Sequence, residues 1–232
     1  MRGDALGRRR KSFSCSEPKE EAPPLMSIEP SRIPAPPAEN GPVNAVCESA
    51  ETLQLLARRR STKIAALGAP GPSSEEIDAL ITLAARTPDH GKLAPWRFVV
   101  IDGESRARAG EALANVVATE APEDTARIEI TRGHFMRAPV CVMVVSTAQP
   151  HAKIPEWEQV LSAGAACYGL LIAAHAMGYA GAWLSEWPVY DAKARTALGL
   201  EDFERIAGFV FLGTAEAPAI ERARKAPLIS RF

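Results

Sequence analysis

Apolar residues recur at helical spacing along much of the chain after residue 48. In one segment Ile77, Leu80 and Ala84 fall on a single face, and Ser73 or Ser74 followed by two glutamates is typical of a helix start. The segments predicted to be helical are 50–60, 74–86, 104–117, 156–177 and 190–198. The charged segment 121–137 is interpreted as a surface excursion with helical character.

Other segments are rich in β-branched and aromatic residues and predict strands. They are 96–102, 139–146 and 206–213, and the shorter segment 179–185 is a fourth candidate. The run PVCVMVVS at 139–146 is almost continuously apolar, which is typical of a central strand covered on both faces. Helices interleaved with a few buried strands predict an α+β fold or a three-layer α/β/α arrangement.

The first 48 residues differ in composition from the rest of the chain. They hold 8 of the 19 prolines, and Phe13 is their only aromatic residue. Such a segment buries too little apolar surface to offset its chain entropy. We therefore predict a disordered extension over residues 1–48 and one folded domain over residues 49–232. The basic segment 1–11 leaves four interpretations open: a targeting segment, a contact with an anionic surface, a plain disordered extension, or translation that begins at Met26.

Charge and cysteine spacing argue against several classes of protein. The formal net charge is −1, whereas a general nucleic-acid binder carries a basic excess. No uninterrupted apolar run reaches the length of about 18 residues that a membrane helix needs. The four cysteines show neither a C-x-x-C pair nor a zinc-binding spacing, which favours a reducing compartment. We therefore expect a cytoplasmic protein with no nucleic-acid partner, no membrane span and no metal.

A basic run is the first candidate for chemistry. The segment RRRSTK at 58–63 follows a predicted short helix and places four cations and two hydroxyls within six residues. Arginine binds phosphate through two parallel hydrogen bonds, and serine donates a further one, so the run suits a phosphate group. The alternative is a solvated basic helix end, which the helix dipole stabilises.

A polar turn is the second candidate. The segment ARTPDHGKLAPW at 85–96 lies between a predicted helix and a predicted strand and contains Arg86, His90 and Lys92. Turns on a rigid scaffold often carry binding groups, and the alternative is an ordinary connection rich in proline and glycine. The sequence motifs for a serine nucleophile elbow, a zinc protease, a Walker A loop and a Rossmann dinucleotide site are absent.

These two segments together resemble the nitroreductase family of flavin enzymes, most closely its small single-domain branch. The resemblance runs from about residue 52 to residue 213. The segments that carry it are RRRS at 58–61, RTPDH at 86–90, PWRFVV at 95–100, PEWEQVLSAG at 155–164 and GAWLS at 181–185. It implies a fold in which helices flank a central mixed or antiparallel sheet, and an obligate homodimer that binds FMN at its interface.

The resemblance assigns the phosphate end of FMN to the basic run. It implies that Arg59, Arg60 and Ser61 meet the phosphate or the ribityl chain. It also implies that Lys63 lies near the pyrimidine edge of the flavin. A cation there stabilises the negative charge of the reduced ring.

The resemblance assigns further FMN contacts to two later segments. It implies that Arg86 and His90 of the turn contact FMN, and that Trp183, Leu184 and Ser185 line the flavin. Because the small branch usually has a basic residue at the position of Leu184, this chain would keep only a backbone contact there.

A nicotinamide contact is implied for the end of the long helix, where an ordinary buried helix end is the alternative. The residues that match it are Ala173, Ala174, His175, Ala176, Met177 and Gly178. The C-terminal segment adds cations that the resemblance does not align, so none of them is assigned. They are Arg222, Arg224, Lys225 and Arg231.

The activity implied by the resemblance is a ping-pong oxidoreduction. Hydride passes from NAD(P)H to FMN and then to a nitroaromatic, a quinone or a similar small acceptor. The flavin carries this chemistry, so we expect no catalytic side chain. The alternatives are a protein that stores or senses FMN without turnover, and a reductive dehalogenase or dehydrogenase on the same scaffold.

Overall fold

The computed structural model describes residues 30–43 and 47–232. The α-helices are α1 (Ala50–Arg58), α2 (Ser74–Ala84), α3 (Ser105–Glu120), α4 (Thr125–Arg132), α5 (Glu156–Ala176), α6 (Glu186–Tyr190) and α7 (Ala192–Ala197). The strands are β1 (Leu67–Gly68), β2 (Trp96–Asp102), β3 (Val140–Ser146), β4 (Ala180–Leu184) and β5 (Arg205–Ala215). Short 3₁₀ helices lie at Pro30–Arg32, Ile64–Ala66, His90–Lys92 and His134–Arg137.

The five strands of the described chain form one sheet around β5. Its order is β1-β5-β3-β2, and β4 also pairs with β5. All of these pairings are antiparallel. Val210 of β5 is opposite Val142 of β3 and also opposite Trp183 of β4, so β3 and β4 lie along opposite edges of β5. The predicted α+β fold is confirmed, and the sheet is antiparallel rather than mixed.

Each face of the sheet is covered by helices. One buried cluster joins α2 and α5 to the sheet, and the other joins α3 and α7 to its opposite face. Side chains along β3 alternate between the clusters because successive residues of a strand point to opposite faces. Val140, Val142 and Val144 belong to the first cluster, and Cys141, Met143 and Val145 belong to the second. This is the three-layer arrangement that the apolar run at 139–146 predicts.

The long helix α5 is the central element of one layer. Ala163, Ala166, Cys167 and Leu170 are completely buried along it. By length and composition alone α5 is also apolar enough to cross a membrane. Its buried side chains pack against α2, β3, β4 and β5, as in the core helix of a folded domain.

The start of α2 is fixed by polar contacts that join it to the chain before β4. The Ser73 hydroxyl accepts from Glu76 N at 3.3 Å, and the Glu76 carboxylate accepts from Ser73 N at 2.7 Å, which forms a capping box. The Tyr179 hydroxyl also donates to Glu76 at 2.7 Å. Glu76 is buried, and this network therefore locks the chain path just before β4.

Several segments differ from the pattern-based predictions. The short strand β1 was not predicted, because two residues are too few to show a period. The segment 121–137 forms α4 followed by a 3₁₀ helix. Ile33 packs against the core, and residues 30–37 lie beside α2, within the predicted extension. Residues 1–29 and 44–46 lie outside the described residues, so the domain boundary near residue 48 stays a prediction.

Candidate functional site

The basic run leaves α1 and lies against β4 and α5. Thr62 N donates to Gly181 O at 3.0 Å, which attaches the run to β4. His175 Nε2 lies 3.0 Å from Arg60 O, which attaches it to the end of α5, while the other ring nitrogen of His175 lies 2.6 Å from Leu171 O. Two secondary-structure elements therefore fix the backbone of the run.

Two guanidinium nitrogens of this run are buried without a protein acceptor. Arg59 Nη1 and Arg60 Nε have no hydrogen-bond partner among the described residues. Buried donors are nearly always paired, so these two groups point to a missing acceptor. Arg60 Nη1 does have a partner, Glu221, at 2.9 Å. An anion with several oxygens fits this donor set.

Three clefts surround the run. The cleft beside the end of β4 has a volume of about 370 Å³, and its lining includes Arg59, Arg60, Ser61, Lys63, Leu184, Arg222 and Arg224. A second cleft of about 360 Å³ lies beside the C-terminal segment, and a third of about 540 Å³ lies against α1. The first, called the basic cleft below, gathers five cations around one concave surface and therefore favours anionic ligands.

Trp183 lies next to Leu184 at the end of β4. Its indole Nε1 donates to Ala207 O at 3.2 Å, and the ring packs on Gly208, where a Cβ atom would lie only 1.9 Å from Nε1. The side chain is still 39% exposed. Because Trp183 and Leu184 point to opposite faces of β4, only Leu184 lines the basic cleft. Ser185 follows as an exposed residue.

The polar turn lies elsewhere in the chain. His90 Nδ1 pairs with Glu158 at 2.8 Å near the start of α5, and Arg86 lines a groove between α2 and residues 30–37. Neither side chain lines the three clefts around the basic run in the part of the chain that the structure describes. A single chain therefore brings Arg59, Arg60, Ser61, Lys63 and Leu184 together but leaves Arg86 and His90 apart.

The backbone of the turn is unusual. Gly91, Lys92 and Ala94 all have positive φ, at 74°, 56° and 44°. The Asp89 carboxylate accepts from Ala94 N at 2.8 Å and supports this conformation. Strained backbone of this kind is concentrated at binding sites, which is consistent with a functional turn.

The end of α5 divides into a buried and a surface set. The side chains of Ala173, Ala174 and Met177 are buried in the core. His175 and Gly178 line the cleft of about 540 Å³, and Ala176 is exposed. Only the second set offers exposed surface to a ligand, and the nicotinamide contact stays a prediction.

A polar network on the other face of the sheet was not predicted. Arg137 donates to both carboxylate oxygens of Glu186, at 2.9 and 2.6 Å, and His134 Nε2 lies 3.3 Å from Glu186. Burial, reinforced by the charge of Arg137, lowers the pKa of His134 to about 4. Burial alone would raise the pKa of Glu186, but the hydrogen bonds from Arg137 lower it. His134 is therefore neutral, and Glu186 ionised, at neutral pH.

Arg222 and Arg224 were also left unassigned by the sequence. They reach the basic cleft because the C-terminal segment folds back beside the run. The sequence shows only that several cations lie near the end of the chain, and this does not predict where they lie in the fold.

The charged segment before β3 lies away from the basic run. Residues 118–137 line none of the three clefts, and α4 packs against α3.

Comparison with known sequences relates this chain to one family. The sequence model of the nitroreductase family matches residues 56–214. A protein of Escherichia coli K12 with the name "Putative NAD(P)H nitroreductase YdjA" is 35% identical over 169 residues, which are 73% of this chain and 91% of the relative. A Haemophilus influenzae protein named "Putative NAD(P)H nitroreductase" is 38% identical over 175 residues, or 75% of this chain and 94% of the relative.

Solved structures share the fold at lower identity. A nitroreductase-like family protein from Bacillus cereus has a TM-score of 0.68 at 21% identity, covering 78% of this chain and 95% of that one. A Bacteroides fragilis nitroreductase with bound FMN has a TM-score of 0.60 at 21% identity, covering 79% and 100%. The resemblance read from the basic run and the turn is thus confirmed, and this chain belongs to the nitroreductase family.

Proposed function

We propose that this protein is an FMN-dependent oxidoreductase that takes hydride from NAD(P)H and reduces a small acceptor. The names of the two bacterial relatives support the nicotinamide donor, and the FMN in the Bacteroides fragilis structure supports the cofactor. The observation that carries the proposal is a pair of buried nitrogens on Arg59 and Arg60, beside the basic cleft, that have no partner in the described part of the chain. A phosphate supplies the acceptor that these donors lack.

The residues of the basic cleft fit the phosphate end of FMN. Arg59 and Arg60 would donate to phosphate oxygens, and the exposed hydroxyl of Ser61 would add a donor. Lys63 lines the same cleft and would hold a positive charge near a cofactor bound there. Such a fixed charge stabilises the anionic reduced state more than the neutral oxidised state.

FMN supplies the redox chemistry when it is bound, because its ring accepts hydride from the nicotinamide and passes electrons to the acceptor. The protein binds and orients the reactants and supplies charge. Leu184 presents an apolar surface to the cleft and limits access of water, while the fixed backbone of the basic run holds the donors in place. We propose a ping-pong order in which the nicotinamide leaves before a nitroaromatic, quinone or similar conjugated acceptor enters.

We propose that two copies of the chain form the complete site. An apolar stripe along α5 exposes Trp157 (68%), Leu161 (54%) and Tyr168 (42%). The turn with His90 lies at the same end of α5 as Trp157, because His90 contacts the neighbouring residue Glu158. Packing of α5 against a second copy buries the stripe and brings the turn of one protomer towards the basic cleft of its partner.

The arrangement favours a reductase over an enzyme with a lid over the flavin, because α4 packs against α3 and residues 118–137 do not line the basic cleft. We also propose that the protein is cytoplasmic. The buried cysteines Cys141 and Cys167 are both free, as is usual in a reducing compartment.

Titration with FMN tests the cofactor assignment. Quenching of flavin fluorescence should give saturable binding with one FMN per chain, and the protein should be yellow after removal of free flavin. Riboflavin, which lacks the phosphate, should bind at least about tenfold more weakly, because each charge-assisted hydrogen bond contributes roughly 1.5–3 kcal/mol. A protein that stays colourless in excess FMN would contradict the proposal.

A further inference from the structure

The chain is strained directly after β4. Glu186 follows Ser185 and has a φ of 49°, in the left-handed region that non-glycine residues seldom adopt. Such a backbone persists only where the surrounding structure holds it. The holding contact is the Glu186 carboxylate, which accepts hydrogen bonds from both terminal nitrogens of Arg137.

Arg137 is itself fixed on two further sides. Its Nε donates to His134 O at 2.7 Å, within the 3₁₀ helix that precedes β3. Its guanidinium also lies over the ring of Phe211, 5.1 Å from the centroid, and Phe211 is opposite Ala182 in the β4–β5 pairing. The ion pair therefore connects the residue after β4 to the sheet and to the 3₁₀ helix.

Geometry links this ion pair to the cofactor site. The strained residue Glu186 lies two positions after Leu184, which lines the basic cleft, and three after Trp183. A planar, bidentate arginine–carboxylate pair restrains orientation as well as distance. A change in the φ angle of Glu186 would redirect the preceding residues relative to the cleft.

We propose that Glu186 and Arg137 are positioning residues, which set the path of residues 183–185 against bound FMN without touching it. The inference rests on the proposed function, since it assumes that this segment meets the flavin. It assigns a role to two residues on the face of the sheet opposite α5. It also explains why a strained glutamate occupies a position that glycine would adopt without strain.

The test compares Glu186→Gln and Glu186→Gly with a control, Glu111→Gln, which removes a carboxylate paired with Arg132 between α3 and α4. Three properties are measured: the Kd for FMN, the visible circular dichroism of bound FMN, and amide hydrogen exchange of residues 183–187 without FMN. Both Glu186 variants should raise the Kd about tenfold, change the dichroism and speed exchange. The control should match the wild type.

Variants of Arg137 test the other half of the ion pair. Arg137→Ala should raise the Kd, change the dichroism and speed exchange as the Glu186 variants do. Arg137→Lys, which keeps the charge but not the bidentate geometry, should show smaller changes.

Unchanged dichroism and exchange in both Glu186 variants would overturn the inference while FMN binding itself remains. Equal changes in Glu111→Gln would also overturn it, because they would show a general loss of stability. A wild-type protein that binds no FMN would contradict the proposed function and the inference together. If Glu186→Gln fails to fold, Glu186→Gly still tests the inference, because glycine tolerates the positive φ at position 186.

Discussion

At the scale of the residue, the candidate site is defined by buried donors for which the described residues supply no acceptor. Burying an unpaired guanidinium nitrogen costs free energy, because its hydrogen bonds to water are lost. Arg59 and Arg60 each carry one such nitrogen, while His175 and Thr62 prevent the backbone from moving away. An anion bound there restores the lost hydrogen bonds. Relief of this burial cost then adds to the free energy of anion binding.

Substitution of these arginines should weaken binding of FMN more than it affects stability. We expect Arg60→Ala to raise the Kd for FMN by about 10- to 100-fold, because charge-assisted hydrogen bonds contribute roughly 1.5–3 kcal/mol. Fluorescence titration measures this change. Arg108→Ala is the matched control, since Arg108 is exposed on α3 and its guanidinium makes, within residues 30–43 and 47–232, only a long contact of 3.9 Å with Glu104. Equal Kd values for the two variants would contradict the assignment of the basic run.

Gly208 is needed for the position of Trp183. An alanine Cβ there would overlap the indole, so Gly208→Ala should displace the ring and lower the free energy of unfolding by about 1–3 kcal/mol. Urea unfolding measures the loss. Gly133→Ala is the control, because the nearest atom to its added Cβ is 3.5 Å away. If both variants unfold at the same urea concentration, the close packing of Trp183 on Gly208 does not contribute to the free energy of unfolding.

At the scale of the element, prediction worked where a pattern is local and long. The helix α5 and the strand β3 show a clear period or a continuous apolar run, so the sequence predicted both. The basic run was also found because its residues are adjacent in the chain. Other residues come together only through tertiary packing between distant parts of the chain, and no local sequence pattern predicts such contacts. These residues are Arg222, Arg224, Arg137 and Glu186.

The 3₁₀ helix at His134–Arg137 makes stability depend on pH. The pKa of His134 is lowered from 6.5 to about 4 in the folded protein, so the unfolded chain binds more protons between those values. Stability should therefore fall as the pH drops from 6.5 to 4, by at most about 3 kcal/mol. Urea unfolding at several pH values measures this slope above pH 4.5, where more than half of the glutamates of the unfolded chain remain ionised.

His134→Leu removes the titrating group and should flatten that slope. The lowered pKa of Glu186 stabilises the folded protein fully above its ordinary value of 4.5. This stabilisation is lost as the pH falls from 4.5 towards the lowered pKa, so it does not contribute to the slope at higher pH. A variant that keeps the wild-type slope between pH 6.5 and 4.5 would show that another group is responsible.

At the scale of the whole molecule, one chain keeps apart the two segments that are proposed to bind FMN. The basic cleft lies beside the end of β4, the turn with Arg86 and His90 does not line it in the described part of the chain, and an apolar stripe on α5 is exposed. Symmetric pairing accounts for all three observations, because a two-fold interface uses the same surface of both copies. The sequence could predict this assembly only through the family resemblance.

A charge on the α5 stripe should separate the protomers and release FMN. We expect Leu161→Glu to give a monomer in size-exclusion chromatography with light scattering, and to bind FMN more weakly than the wild type. Ile130→Glu is the matched control: Ile130 is 77% exposed on α4, which lies away from the stripe. A dimeric Leu161→Glu variant with wild-type affinity for FMN would place the interface elsewhere.

The most direct test of the central claim is anaerobic stopped-flow mixing of the FMN-loaded protein with NADH or NADPH. We expect at least one nicotinamide to bleach the visible flavin absorbance at a rate that saturates with its concentration. Subsequent addition of a quinone or nitroaromatic acceptor should restore the absorbance after the oxidised nicotinamide has left. Bound FMN that neither NADH nor NADPH reduces would contradict the oxidoreductase and indicate a protein that only binds flavin.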